Sequence, residues 1–237
     1  MNASPTCDDG VTKTHPTYQL ELGGLTPTSS LQDYIVKAIQ PHETHWFLMN
    51  RHYAKRIPPI SFAFGLFLHG DLVGVVTYGK PASMTLCDGI CGKEYTHEVI
   101  ELNRLSLLDN KKAEASRLIS HSLKLIPKPK IVVSFADTSQ NHTGIVYQAT
   151  NWIYTGLSAA RKEYAIKGRE NLHSRTISGM GSSIEEIKAI YGDDFYYRER
   201  PRKHRYVYFL GNKKEIKERR AKLKYKIYPY PKADDEG

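Results

Sequence analysis

Between Ile131 and Gly156 the sequence IVVSFADTSQNHTGIVYQATNWIYTG changes its hydrophobic period twice, and this constrains the fold more than any other stretch. Ile131-Val132-Val133 is a continuous β-branched run, as expected of a strand covered on both faces. Asp137-Thr138-Ser139-Gln140-Asn141 is rich in residues that cap helices and line polar turns. A short helix carrying Tyr147 and a second strand complete the unit. Asp137 stands at the strand's end, so a site at the carboxyl end of that strand follows. Asn151 closes the helix at a position that tolerates the left-handed conformation.

The flanking elements are read the same way. Residues 1–30 are polar and predict a loose arm or a short edge strand at Tyr18–Leu22. Leu31–Arg56 carries Ile35, Ile39, Trp46, Phe47 and Tyr53 at helical spacing, which predicts two helices with Pro41 opening the second. Ser61–His69 and Asp71–Tyr78 read as a hairpin turning at His69-Gly70-Asp71. Lys80–Tyr95 reads as an irregular loop carrying Cys87 and Cys91, too few thiols for a zinc site. Glu98–Leu107 is a further strand, and Ala115–Ile126 an amphipathic helix with Leu118, Ile119, Leu123 and Ile126 on one face.

Length and composition, 237 residues with 40% hydrophobic content, suit one well-buried domain with decoration. No apolar run approaches the roughly 20 residues of a membrane span and no leader pattern opens the chain, so a cytoplasmic protein is expected. Cys7, Cys87 and Cys91 read as reduced thiols. The net charge of +9 is unevenly placed, since Arg198–Lys232 holds fourteen Lys/Arg against three Glu. Six aromatics are interleaved there: Tyr206, Tyr208, Phe209, Tyr225, Tyr228 and Tyr230. Cations neutralise phosphates and aromatic faces stack on bases, so this mixture predicts a nucleic-acid surface; a solvated basic helix is the bland alternative. Arg175, Arg202, Lys203, Arg205, Lys213, Arg219 and Arg220 are its candidate DNA contacts. The expected division is an arm at 1–30, a core at 31–165 and a basic aromatic extension at 166–237 packed on that core.

The Ile131–Gly156 pattern resembles the second half of a Gcn5-related N-acyltransferase core, which implies an α+β fold with a central, mostly antiparallel mixed sheet flanked by helices. The family's helix motif "Y-x-x-x-G-F" reads Tyr147-Gln148-Ala149-Thr150-Asn151-Trp152 here. Its Gly-rich pyrophosphate loop reads Asn110-x-x-Ala113-x-Ala115, with Lys111, Lys112 and Ser116 alongside. Backbone amides at a helix N-terminus serve such a loop, and the loss of both glycines argues against standard coenzyme A binding.

A narrower resemblance rests on Asn50-Arg51-His52-Tyr53-Ala54, Glu101-Leu102-Asn103-Arg104-Leu105, Ser134-Phe135-Ala136-Asp137, the Tyr147 helix and the basic C-terminal run. The ordered set resembles the Mom-type DNA adenine modification proteins of bacteriophages. That resemblance implies addition of a carbamoylmethyl or glycyl-type group to N6 of adenine, protecting phage DNA from host restriction. It places functional residues at His52, Tyr53, Arg104, Ser116, Asp137 and Tyr147. It also implies an iron(II) centre, with His52, Tyr53, Asp137 and Tyr147 as its candidate ligands. Double-stranded DNA is the expected partner, with tRNA and a second copy of the chain as further candidates.

The residues support such chemistry on their own terms. The adenine amine is a poor nucleophile because its lone pair is delocalised, so attack on a carbonyl needs a base and stabilised charge. His52 or Asp137 can accept the proton. Tyr147 can protonate a leaving group, and Arg104 can hold an anionic donor or a DNA phosphate. Trp46, Tyr53 and Phe62 are candidate stacking faces for a flipped base. The donor reads as acetyl-CoA or a glycyl carrier such as glycyl-tRNA, bound near Arg104, Asn110, Lys111, Ala113, Ala115 and Ser116. A conventional CoA-dependent acetyltransferase acting on a small amine or protein and a non-catalytic DNA-binding protein are the alternatives.

Overall fold

The structure, a computed structural model, describes residues 31–170, 172 and 174–232; the arm, its expected strand at Tyr18–Leu22 and Cys7 lie outside these residues. In chain order the strands are β1 (Tyr34–Ala38), β2 (Phe62–Leu68), β3 (Asp71–Gly79), β4 (Val99–Leu107), β5 (Lys130–Asp137), β6 (Ile153–Leu157), β7 (Arg161–Ile166), β8 (Phe195–Arg200) and β9 (Lys203–Leu210). The α-helices are α1 (Met84–Cys91), α2 (Glu114–Leu125), α3 (Ile145–Ala149), α4 (Ser174–Ser178), α5 (Ile184–Tyr191) and α6 (Lys213–Ala221). Seven strands form one sheet in the order β1-β2-β3-β4-β5-β9-β6. Its pairings are antiparallel except β4 with β5.

Helices cover both faces of this mixed sheet, giving the expected α+β architecture. Leu118, Ile119 and Leu123 of α2 and Tyr147 of α3 pack with Val76, Leu102 and Val132 on one face. On the other, Cys87, Ile90 and Cys91 of α1 meet Val99, Ile131, Val133 and, from α6, Ile216. A satellite unit stands apart: β7 and β8 form a two-stranded ribbon whose Ile166 and Phe195 pack with Ile177 and Ile187 of α4 and α5.

Three expectations are corrected. The two helices predicted over Leu31–Arg56 are replaced by edge strand β1, a 3-10 turn at Pro41–Thr44 and a π-helical turn at Phe47–Arg51. The alternation of Tyr34, Val36 and Ala38 against β2 wins over the apparent helical spacing, and Ile35, expected inside, is exposed. Lys80–Tyr95 is not a loop. Ser83 caps α1 by accepting the Leu86 amide at 3.2 Å, and both cysteines are buried on one helical face, where burial raises their thiols, that of Cys91 to about 11. Finally, the boundary expected at 165/166 does not divide the sheet, because β9 enters it between β5 and β6.

The chain after α6 turns back as a strap. The Lys224 amide donates to the Ile90 carbonyl at 2.8 Å and the Tyr228 amide to the Tyr154 carbonyl at 3.1 Å. The Tyr230 hydroxyl donates to the Trp152 carbonyl at 2.7 Å, and Gln148 Nε2 to the Pro231 carbonyl at 3.3 Å. The strap thus ties β6 and α3 to the body.

Candidate active site

The site begins where a ladder stops. β4 and β5 pair only over Val99–Glu101 with Ile131–Val133. Beyond that point a side chain replaces the backbone, as Ser134 Oγ donates to the Leu102 carbonyl at 2.8 Å. The diverging ends of the two strands, α3 and the segment after the π-helical turn enclose a cleft of about 550 Å³. His52, Tyr53, Arg104, Asn110, Ala115, Asp137 and Tyr147 all line it. Arg51 anchors the π-helical turn to the Leu108 carbonyl, while Asn103 Nδ2 donates to the Pro59 carbonyl at 2.9 Å, fixing both ends of the segment that carries His52 and Tyr53. A π-turn beside a site is a common device for re-aiming side chains.

Tyr147 lies at the cleft floor, 8% exposed, with its hydroxyl 2.8 Å from Ser134 Oγ. Burial pushes its phenol up to about 12, so it holds its proton at neutral pH and is suited to give it away. Ser134 has one proton for two neighbours. While it donates to Leu102, its oxygen can accept from Tyr147; on turning, it can donate to a tyrosinate. Gly144 sets the helix's entry at φ +82, and a Cβ there would stand 2.4 Å from the Tyr206 ring, so this approach requires glycine. Asn151 adopts φ 60 at the far end, in the expected left-handed region.

Asp137 is nearly buried and ionised. Burial alone would raise its carboxyl, but Lys203 at 2.5 Å and the Ser139 hydroxyl and amide hold it below the ordinary range. Arg104 is half-buried, with Glu101 acting on it electrostatically; its Nη1 donates to the carbonyl of the preceding Asn103 at 2.6 Å, and its Nε is buried with no hydrogen-bond partner among the described residues. Burial lowers its pKa. A buried donor left open at a cleft wall is a site for an acceptor that the protein does not itself supply.

His52 departs from the expected role of base. Its Nδ1 accepts the Ala54 amide at 3.1 Å, which places the neutral ring's proton on Nε2. Burial, with Arg104 and His142 nearby, lowers its pKa to about 4. The ring is therefore a neutral Nε2–H donor at physiological pH. His52→Gln, which offers an amide donor at the Nε2 position, is expected to retain about a tenth or more of the activity, and His52→Asn to lose about 100-fold, in single-turnover rates. Folded His52 resists protonation between its ordinary 6.5 and about 4, so the stability it contributes is complete above pH 6.5 and is lost as the pH falls toward 4.

Of the four iron candidates, two are engaged by the protein's own groups: Asp137 is held by Lys203 and Ser139, and His52 Nδ1 accepts the Ala54 amide. Among the described residues no three His, Cys, Asp or Glu side chains group for a metal.

The donor loop divides around α2. Asn110 and Ala115 face the cleft, whereas Ala113 and Ser116 line a second groove of about 530 Å³ with Arg117, His121, Lys124 and Lys128. Asn110 and Ala113 keep positive φ, 52 and 67, although neither is glycine. Buried Glu114 supplies this helix N-terminus with an anion: its carboxylate accepts the Lys111 amide at 2.8 Å and the Tyr34 hydroxyl at 2.7 Å. Lys111 itself pairs with Asp109 at 3.4 Å.

The C-terminal cations are spread over distinct tasks. Arg219 is buried and grips Glu98 through two 2.6 Å bonds. Arg205 donates to Thr155 and lies 3.4 Å over the Tyr225 ring. Arg202 donates to the Ser158 carbonyl at 2.6 Å, and Lys203 is the partner of Asp137. Lys213 and Arg220 are exposed on α6, and Arg175 lies on α4 with its side chain outside the described set. β9 runs from Lys203 opposite Asp137 to Leu210 opposite Lys130, so α6 starts about 25 Å from the cleft end of the sheet. The ribbon leaves from the cleft end. There Arg161 opposes Arg200, and Arg198 pairs with Glu163 at 2.8 Å.

Among solved structures, acetyltransferases of the GNAT family are similar to this chain at low sequence identity. The Salmonella typhimurium yncA protein, solved with its cofactor acetyl-CoA, is 8% identical, with 76% of this chain and 95% of that one covered at a TM-score of 0.43. One from Bacillus cereus is 12% identical, covering 76% and 99% at 0.40. In sequence, the chain is 31% identical over 194 residues to the methylcarbamoylase mom of Escherichia phage Mu, 78% of each protein. The profile of the Mom protein family matches residues 33–232, a span that takes in the cleft, the ribbon, β9 and the strap, and the chain belongs to that family.

Proposed function

We propose that this protein modifies DNA by transferring a carbamoylmethyl or glycyl-type group to N6 of adenine. The observation that carries the reading is the cleft at the β4–β5 divergence, where a protonated Tyr147, an ionised Asp137, an Nε2–H donor on His52 and an open Arg104 Nε converge. Kinship with a phage Mu protein named a methylcarbamoylase supports transfer of a group of this kind.

In this reading, which yields the aminoacetyl amide isomeric with a carbamoylmethyl adduct, His52 Nε2–H polarises the donor carbonyl and stabilises the oxyanion as the adenine amine attacks. Asp137 takes the proton that the amine sheds on forming the new C–N bond. Tyr147 protonates the departing thiolate or alkoxide, and Ser134 turns its hydrogen toward the oxygen left behind. Arg104 holds an anionic part of donor or DNA. The donor is an activated glycyl ester or thioester whose carrier lies along the basic groove beside α2, and protection from restriction follows from the altered base. Nucleoside mass spectrometry of plasmid DNA from expressing bacteria tests the reading. Deoxyadenosine heavier by one glycine residue supports it; an adduct on a protein or polyamine instead, with adenine untouched, rejects it.

A further inference from the structure

We propose that the duplex is opened at the mouth of this cleft, with Ile145 entering the base stack as a wedge and Tyr53 receiving the extruded adenine on its exposed ring. The inference rests on the adenine-modifying reading above and names how the substrate reaches the site. Tyr147 and Asp137 are nearly buried at the floor between two sheet strands, so an adenine still stacked and paired cannot bring N6 to them.

The mouth is built for a base that has left the helix. Ile145 is 70% exposed, more than any other large apolar residue described, and it lines the cleft as the first residue of α3, two positions before Tyr147. A lone exposed apolar side chain is ordinary on a protein surface. This one stands on the lip of the cleft, on a turn fixed against Tyr206, and is the type of side chain that inserts between base steps in DNA-bending proteins.

Tyr53 also lines the cleft, 52% exposed. Its ring is stacked on His52 at 4.6 Å and 27°, with His142 edge-on at 6.4 Å. The platform is therefore already oriented before a base arrives, and aromatic faces accept any nucleobase. Exposed Lys55 and Arg56 follow Tyr53 in the chain, and the charge of Arg56 acts on the cleft residue Arg104, so cations lie beside the mouth to complement the phosphates of an opened step. Ile145 fills the vacated place, which keeps the neighbouring pairs from closing.

The test uses duplexes with one adenine in randomised flanks, either paired with thymine or placed opposite an abasic site, with bacterial extract supplying the donor and modified nucleoside as readout. Ile145→Ala is expected to lose about 10-fold on the paired duplex and to stay within about twofold of wild type opposite the abasic site, where opening is already done. Tyr53→Leu is expected to lose on both. Ile145→Ala matching wild type on the paired duplex, or losing equally on both substrates, overturns the wedge. Wild type modifying neither substrate overturns the adenine reading and the wedge with it.

Discussion

Tyr147→Phe is expected to lower adenine modification by about 100-fold or more, the usual range for losing a positioned general acid. The phenol is protonated at neutral pH and in contact with a second hydroxyl, Ser134 at 2.8 Å. Its ring should stay in place, because Trp152 at 5.2 Å and Tyr206 at 5.1 Å hold it from two sides and neither contact involves the hydroxyl. The missing hydrogen bond costs about 1 kcal/mol of stability. Nucleoside mass spectrometry beside a thermal melt separates the two effects. A fully active, equally stable variant would remove Tyr147 from the chemistry. Ser134→Ala is the milder companion, slower by about 10-fold if it only steadies the tyrosinate.

The second large effect lies far from the cleft. Arg219→Ala is expected to cost about 3–5 kcal/mol of folding stability, because it leaves the Glu98 carboxylate buried and unpaired. For a chain of this size the midpoint should fall by roughly 10 °C. Arg220→Ala, one residue on but exposed, should change it by less than about 0.5 kcal/mol. Replacing both partners, Glu98→Gln with Arg219→Met, should recover most of the loss. The pair also has a pH signature. Arg219 holds the Glu98 carboxyl below its ordinary range, so the pair's stabilisation is complete above the unfolded value near 4.3 and fades as pH falls through the lower folded value. A melt that leaves Arg219→Ala at the wild-type midpoint would refute the assignment.

Arg219 also shows where reading the sequence stops. Charge density marked the C-terminal stretch as basic, but density does not say which side chains face solvent. The partner of Arg219 is 121 positions upstream, and that of Lys203 is set by the β5–β9 register. The elements with a clear period, the β2–β3 hairpin, β4, α2, β5 and the Tyr147 helix, were legible because their apolar spacing leaves one face to bury. β1 was not, since a five-residue edge strand offers too few alternations to outweigh accidental helical spacing. In the cleft, His52, Tyr53, Arg104, Asp137 and Tyr147 carry evident chemistry and stood out. Ser134 did not, although a lone hydroxyl inside the apolar run of β5 was the available signal. The tautomer of His52 depends on the Ala54 amide, a backbone detail that no spacing reveals.

The position of β9 in the sheet has a consequence for synthesis. A ribosome must finish residues 203–210 before β5 and β6 can be joined, and residues 228–231 before the strap reaches α3. Until then Asp137 lacks its lysine and the Tyr147 helix lacks its outer hold. Such long-range closure comes late in folding. A chain ended before residue 203 thus lacks the strand that joins β5 to β6 and the strap that holds α3, and its cleft is left without both supports.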